Sequence, residues 1–198
     1  MNRIRLASTL AALALTPTLL FCSPRAAAQG MGSMPMGAPN GPQGKQLPSP
    51  PAMAEAKLDG KSVVIHYNKP SIRGRKIMGG LVPYGKVWRT GANPATSFVT
   101  ETDLTVGTLH VPAGKYTLYT LPAEAGTPWM LIINKQTGQW GTEYNESQDL
   151  GRTPMHAATL PAAQEVMSIS FEHTPANATE LHVRWERVDL SVPIKVAR

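Results

Sequence analysis

From Ala52 to the end, apolar and polar residues alternate, and this alternation limits the fold more than any other feature of the chain. Met167, Ile169 and Phe171 are interleaved with Ser168, Ser170 and Glu172; Leu181, Val183 and Trp185 with His182, Arg184 and Glu186; Leu190, Val192, Ile194 and Val196 close the chain. Side chains repeat every two residues on a strand and every three to four on a helix, so such runs bury one face only as β-structure. "AMAEAKL" and "KSVVIHY" flank Asp59-Gly60, a two-residue hairpin signal, and place Val63, Ile65 and Tyr67 on one face. "TSFVTETDLTV", "GTLHV", "YTLYTL" and "WMLIIN" supply further strands, with Pro112 and Gly114 suited to a tight turn. The nearest approach to a helical repeat, "TPMHAATLPAAQEVM", is interrupted by Pro154 and Pro161. Strands with polar residues outward, spaced by turns, predict an antiparallel β-sandwich, with a closed β-barrel as the alternative.

The first 50 residues have a different character. Arg3 and Arg5 precede an apolar run from Leu6 to Phe21, and Ala26-Ala27-Ala28 follows. A charged start, a short apolar middle and an A-x-A end read as a signal peptide over residues 1–28, making the protein periplasmic or secreted. Ser8, Thr9, Thr16, Pro17 and Thr18 break the run, so it is not read as a membrane span, which needs about 20 predominantly apolar residues. Cys22 offers an alternative, a lipid anchor, but the bulky Phe21 before it disfavours that processing. Residues 29–50, rich in glycine, methionine and proline, cannot bury enough apolar surface to order and read as a disordered linker. Met31, Met34 and Met36 are thioethers at close spacing, a sparse set for copper(I). One domain is expected over residues 51–198.

Cys22 is the one cysteine, so cleavage after Ala28 leaves neither a disulfide nor thiol chemistry. Cleavage also removes Arg3, Arg5 and Arg25, and the balance becomes 16 basic minus 13 acidic residues, or +3. That is too mild to argue for nucleic acid. Local charge is more telling. Lys61, Lys69, Arg73, Arg75, Lys76, Lys86 and Arg89 lie between Asp59 and Glu101 with no acid among them. Most of them fall in a connection of about 28 residues between Tyr67 and Thr96, longer than compact domains usually carry without a function.

Motifs for known chemistries are sparse. His66, His110, His156, His173 and His182 show no H-x-H or H-E-x-x-H spacing, and no metal site or cofactor is expected. His182, opposite Trp185 in its strand, reads as a solvent-facing polar residue whose removal costs little. No G-x-S-x-G is present, and "GRKIMGG" lacks the spacing of a phosphate loop. Glu143, Glu146 and Asp149 are candidates for a carboxylate pair of the kind that hydrolyses glycosides.

"PSIRGRKIMGGLVPYGKVWRTGAN", "LHVPAGKYTLYTLP", "MLIINKQTGQWGTEYNESQDLGR" and "LHVRWERVDLSVPI" together resemble an exported bacterial family, domain of unknown function 2911, over about Gln46 to Arg198. The resemblance implies an exported β-rich domain with no assigned activity, catalytic residue or ligand. Many relatives carry an acidic residue after the asparagine of "GAN", where this chain has Pro94.

The reading that follows is a non-catalytic binding module for an anionic or glycan ligand. Arg73, Arg75 and Arg89 offer planar donors, Lys86 a point charge and Asn93 both donor and acceptor. Trp88 either stacks on the ligand or pins the loop to the core, the more usual fate of a tryptophan. Tyr84, Trp140 and Tyr144 supply further flat surfaces. An envelope-polymer hydrolase and a purely structural protein are the alternatives.

Overall fold

The first hairpin forms where the sequence places it. Ala54, Ala56 and Leu58 on β1 (Pro51–Leu58) and Val63, Ile65 and Tyr67 on β2 (Lys61–Asn68) are buried on one side. Between them Asp59 (φ 49°) and Gly60 (φ 78°) both adopt the left-handed backbone that a tight two-residue hairpin needs. These coordinates are a computed structural model, which describes residues 48–198. The expected signal peptide, Cys22, the three methionines Met31, Met34 and Met36, and the linker up to residue 47 lie outside the described residues.

Eight further strands follow: β3 (Thr96–Thr100), β4 (Leu104–Val106), β5 (Leu109–Val111), β6 (Gly114–Leu121), β7 (Met130–Asn134), β8 (Asp149–Pro154), β9 (His156–Glu172) and β10 (Ala178–Val196). A 3-10 turn, Glu146–Gln148, precedes β8. One sheet has the order β1-β2-β3-β6-β7-β8 and the other β5-β4-β10-β9, every pairing antiparallel. Neither sheet closes on itself, and the two pack face to face. The fold is a β-sandwich.

The core lies between the sheets. Leu58, Ile65, Phe98, Leu118, Leu131 and Ile133 come from the larger one, and Leu104, Val106, Met167, Val183, Trp185 and Val192 from the smaller.

Three predicted strands are cut or joined differently. "TSFVTETDLTV" breaks at residues 101–103, where the chain leaves the larger sheet for the smaller, and it returns across Pro112 and Ala113. The last two predicted strands are one, the 19-residue β10. Trp185 and Leu190 are both buried although five residues apart, so strict alternation fails between them. Register shifts on either side of Glu186, whose φ is 54°, absorb the odd residue and keep both ends facing the core. "TPMHAATLPAAQEVM" falls in β8 and β9, and β9 is an edge strand, where proline costs little.

The connection of residues 69–95 is fastened at many points. Ser71 bridges to Val166, Met78 to Val82, and Ile77, Val82 and Trp88 are buried. "KVWRT" forms no strand of its own, but Trp88 makes an isolated bridge to Thr120.

Candidate functional site

The bridge at Trp88 positions the site. β3 covers β6 only as far as Leu118. Beyond that point the long connection takes its place: Trp88 N–H donates to Thr120 O (2.8 Å), Thr120 N–H donates to Trp88 O (2.9 Å), and Gly85 N–H reaches Pro122 O (2.8 Å). The Trp88 indole turns inward and stacks on Trp185, centroids 5.8 Å apart and planes 18° from parallel. Core anchoring is therefore what Trp88 does for the loop.

The next residue, Arg89, is carried to the other side of the segment. It lines a cleft of about 280 Å³ together with Leu81, Pro83, Val87, Trp88, Tyr119, Gly141, Thr142 and Tyr144. Its Nε donates to Gly91 O (3.3 Å), and among the described residues no carboxylate pairs with it. Burial disfavours its charge and pulls its pKa down from the ordinary arginine value. Gly141 is needed behind it. A Cβ there would run into the Arg89 side chain and lie 2.9 Å from the Asn93 carbonyl.

Two tyrosines of the lining form an edge-to-face pair, centroids 5.0 Å apart. Tyr119 points away from the inter-sheet core, is covered by the connection after β7, and donates its hydroxyl to Glu143 O (3.0 Å) while accepting from Gln139 Nε2 (3.0 Å). The Tyr144 hydroxyl donates to Asp149 Oδ2 (2.7 Å) and accepts from Arg152 Nη2 (2.9 Å). Burial, then the bond to Asp149, push the Tyr144 pKa up to about 12, and burial also raises that of Tyr119. Both remain protonated.

The other predicted residues lie elsewhere. Arg73 Nη2 donates to Pro48 O (2.6 Å), and Asn93 Nδ2 to Ser49 O (3.2 Å), which also accepts from Asn68 Nδ2 (2.9 Å). With Lys69 N–H on Pro50 O (3.0 Å), these groups clasp the residues that lead into β1. Arg75 folds back on Ser71 O (2.6 Å) and Ile72 O (3.1 Å). Lys86 is exposed and does not line the Arg89 cleft. Tyr84 lines a separate cleft with Leu121 and Pro122, and Trp140 is half exposed. Of the six candidates, only Trp88 and Arg89 meet in one cavity.

None of the three carboxylates considered for hydrolysis lines the cleft. Asp149 is held by Tyr144, Arg152 and Asn134, and Glu146 by Arg152. Tyr119 is the lining aromatic that no motif marks, although "YTLYTL" puts Tyr116 and Tyr119 on opposite faces of β6, and an aromatic facing away from the core is the available signal.

His182 is not the solvent-facing residue that the alternation predicts. It faces away from Trp185 as expected, yet it is buried. Its Nδ1 lies 2.9 Å from Asp189, Arg184 joins Asp189 and Glu172, and Ser170 donates to Glu172 (2.9 Å). A polar network on the outer face of β9 and β10 covers the ring, so removing His182 strands partly buried polar partners.

The whole arrangement lies within a recognisable family domain. A model described as Protein of unknown function (DUF2911) matches residues 49–194. The chain belongs to the DUF2911 family. The DUF2911 match runs from the clasped residues ahead of β1 almost to the end of β10, and so includes every residue lining the Arg89 cleft. No curated protein and no solved structure matches the chain.

Proposed function

We propose that this domain is a non-catalytic binding module of an exported envelope protein, and that it takes an anionic ligand at Arg89. One observation carries the reading: a partly buried arginine lines a cleft with no carboxylate partner among the described residues. Two other partly buried arginines among the described residues are paired with carboxylates. Arg152 holds Asp149 and Glu146, and Arg184 holds Glu172 and Asp189. Burying a charge without a partner is costly, and an anion arriving from solvent removes that cost. The signal-like start of the chain supports the location.

The test is a thermal-shift titration with simple anions at low ionic strength. Saturating anion raises Tm for the natural chain, the shift shrinks as sodium chloride is added, and Arg89→Gln abolishes it. An unchanged shift in Arg89→Gln overturns the assignment.

A further inference from the structure

Resting on that reading, we infer that the cleft selects a monocarboxylate with a compact apolar body, and rejects polyhydroxylated acids and phosphate. The geometry of the committed hydrogen bonds leads there. Arg89 spends Nε on Gly91 O, which leaves the terminal pair of nitrogens with no partner among the described residues. Two N–H groups on a planar fork match the two oxygens of a carboxylate.

The side chains that share the cleft with Arg89 offer a polar ligand few free hydrogen-bonding groups. The Tyr119 hydroxyl is taken by Glu143 O and Gln139, and the Tyr144 hydroxyl by Asp149 and Arg152. Both tyrosines therefore present ring carbons to the cleft. Leu81, Pro83, Val87 and Trp88 add apolar side chains, and of the three hydroxyls lining the cleft only that of Thr142 has no partner among the described residues. A sugar acid would set several hydroxyls against carbon, losing water without replacement. A phosphate dianion would meet one cation where two charges need balance. At about 280 Å³ the space is just under the range of drug-sized ligands, so the body is small.

One ligand chemistry can come from two sources, a free short-chain or aryl acid and the apolar C-terminal residue of a peptide. Both put one carboxylate on the fork and a hydrocarbon group on the rings.

The experiment is calorimetric titration of the natural chain with six probes: acetate, hexanoate, phenylacetate, glucuronate, inorganic phosphate and the tripeptide Gly-Gly-Leu. Hexanoate and phenylacetate are expected to bind at least about tenfold tighter than acetate, the order of gain that burying a few methylenes brings. Glucuronate and phosphate are expected no tighter than acetate. Arg89→Gln weakens the apolar acids by about tenfold or more, as the loss of a charge-assisted pair implies. Arg89→Lys keeps the charge and the stem but not the fork; it serves if the glutamine variant fails to fold, and is expected to weaken them about three- to tenfold. Gly-Gly-Leu binding tighter than hexanoate, and lost on amidation of its C-terminus, assigns the peptide source; the reverse order assigns the free acid. Equal, Arg89-dependent binding of all the anions overturns the apolar selectivity and leaves the anion site standing. Binding of none, or binding indifferent to both Arg89 variants, overturns both.

Discussion

Glu172 is an ion-paired carboxylate on the outer face of β9. Arg184 donates to both its carboxylate oxygens and Ser170 to one, and these bonds, Arg184's first, bring its pKa down from 4.5 to about 2. A carboxyl with a folded pKa below its unfolded one stabilises the native state above the ordinary carboxylate range, and that stability is lost as pH falls towards the folded value. Glu172→Gln should therefore cost about 1–2 kcal/mol at pH 6, a modest figure because the side chain is partly exposed. The difference from the natural chain should shrink between about pH 4.5 and 2. Denaturant melts at several pH values check this, and a pH-independent cost would remove the ion pair from the account. None of this network was readable from its residues alone. His182, Arg184 and Glu172 look like an ordinary solvent-facing row, and their enclosure depends on Asp189 arriving from beyond the irregularity in β10.

At the scale of elements, Trp185 joins the smaller sheet to the long connection, since its ring carries the stacked Trp88. Trp185→Ala should cost about 3–5 kcal/mol in a denaturant melt, and should also loosen the Trp88 bridge on which the Arg89 wall depends. A cost below about 1 kcal/mol would mean that Trp88 alone holds the segment. The alternation of Leu181, Val183 and Trp185 made the inward register legible, and tryptophan's preference for burial made the anchoring role of Trp88 legible. Two things escaped for physical reasons. β8, "DLGRTP", pairs with β7 through all but Leu150 but buries almost nothing fully, so no alternation marks it. The tyrosine pair of the lining depends on Tyr119 meeting Tyr144 across a connection 25 residues downstream, a pairing that only the folded chain makes.

For the molecule as a whole, the two sheets differ in how their margins are protected. β9 receives Ser71 and Ile72 against its outer side near Val166, whereas β1 is an edge held to the domain chiefly by β2. The clasp on Pro48–Pro50 stands at the end where β1 begins, beside the Pro51–Asn68 pair. Asn68→Ala combined with Arg73→Ala should speed amide exchange in the first half of β1 by about five- to tenfold, the equivalent of one or two net hydrogen bonds. Exchange in β6 and β7 should be unchanged; uniform acceleration would mean the clasp supports the entire fold. A ladder pulled from one end opens rung by rung, so its resistance is that of its first rung and not of its full length. Tension arriving through the residues ahead of the domain meets Pro48, Ser49 and Pro50 first. Their three carbonyls are held by four donors on two loop corners and the end of β2, rungs that a pull breaks in turn before the edge strand begins to peel.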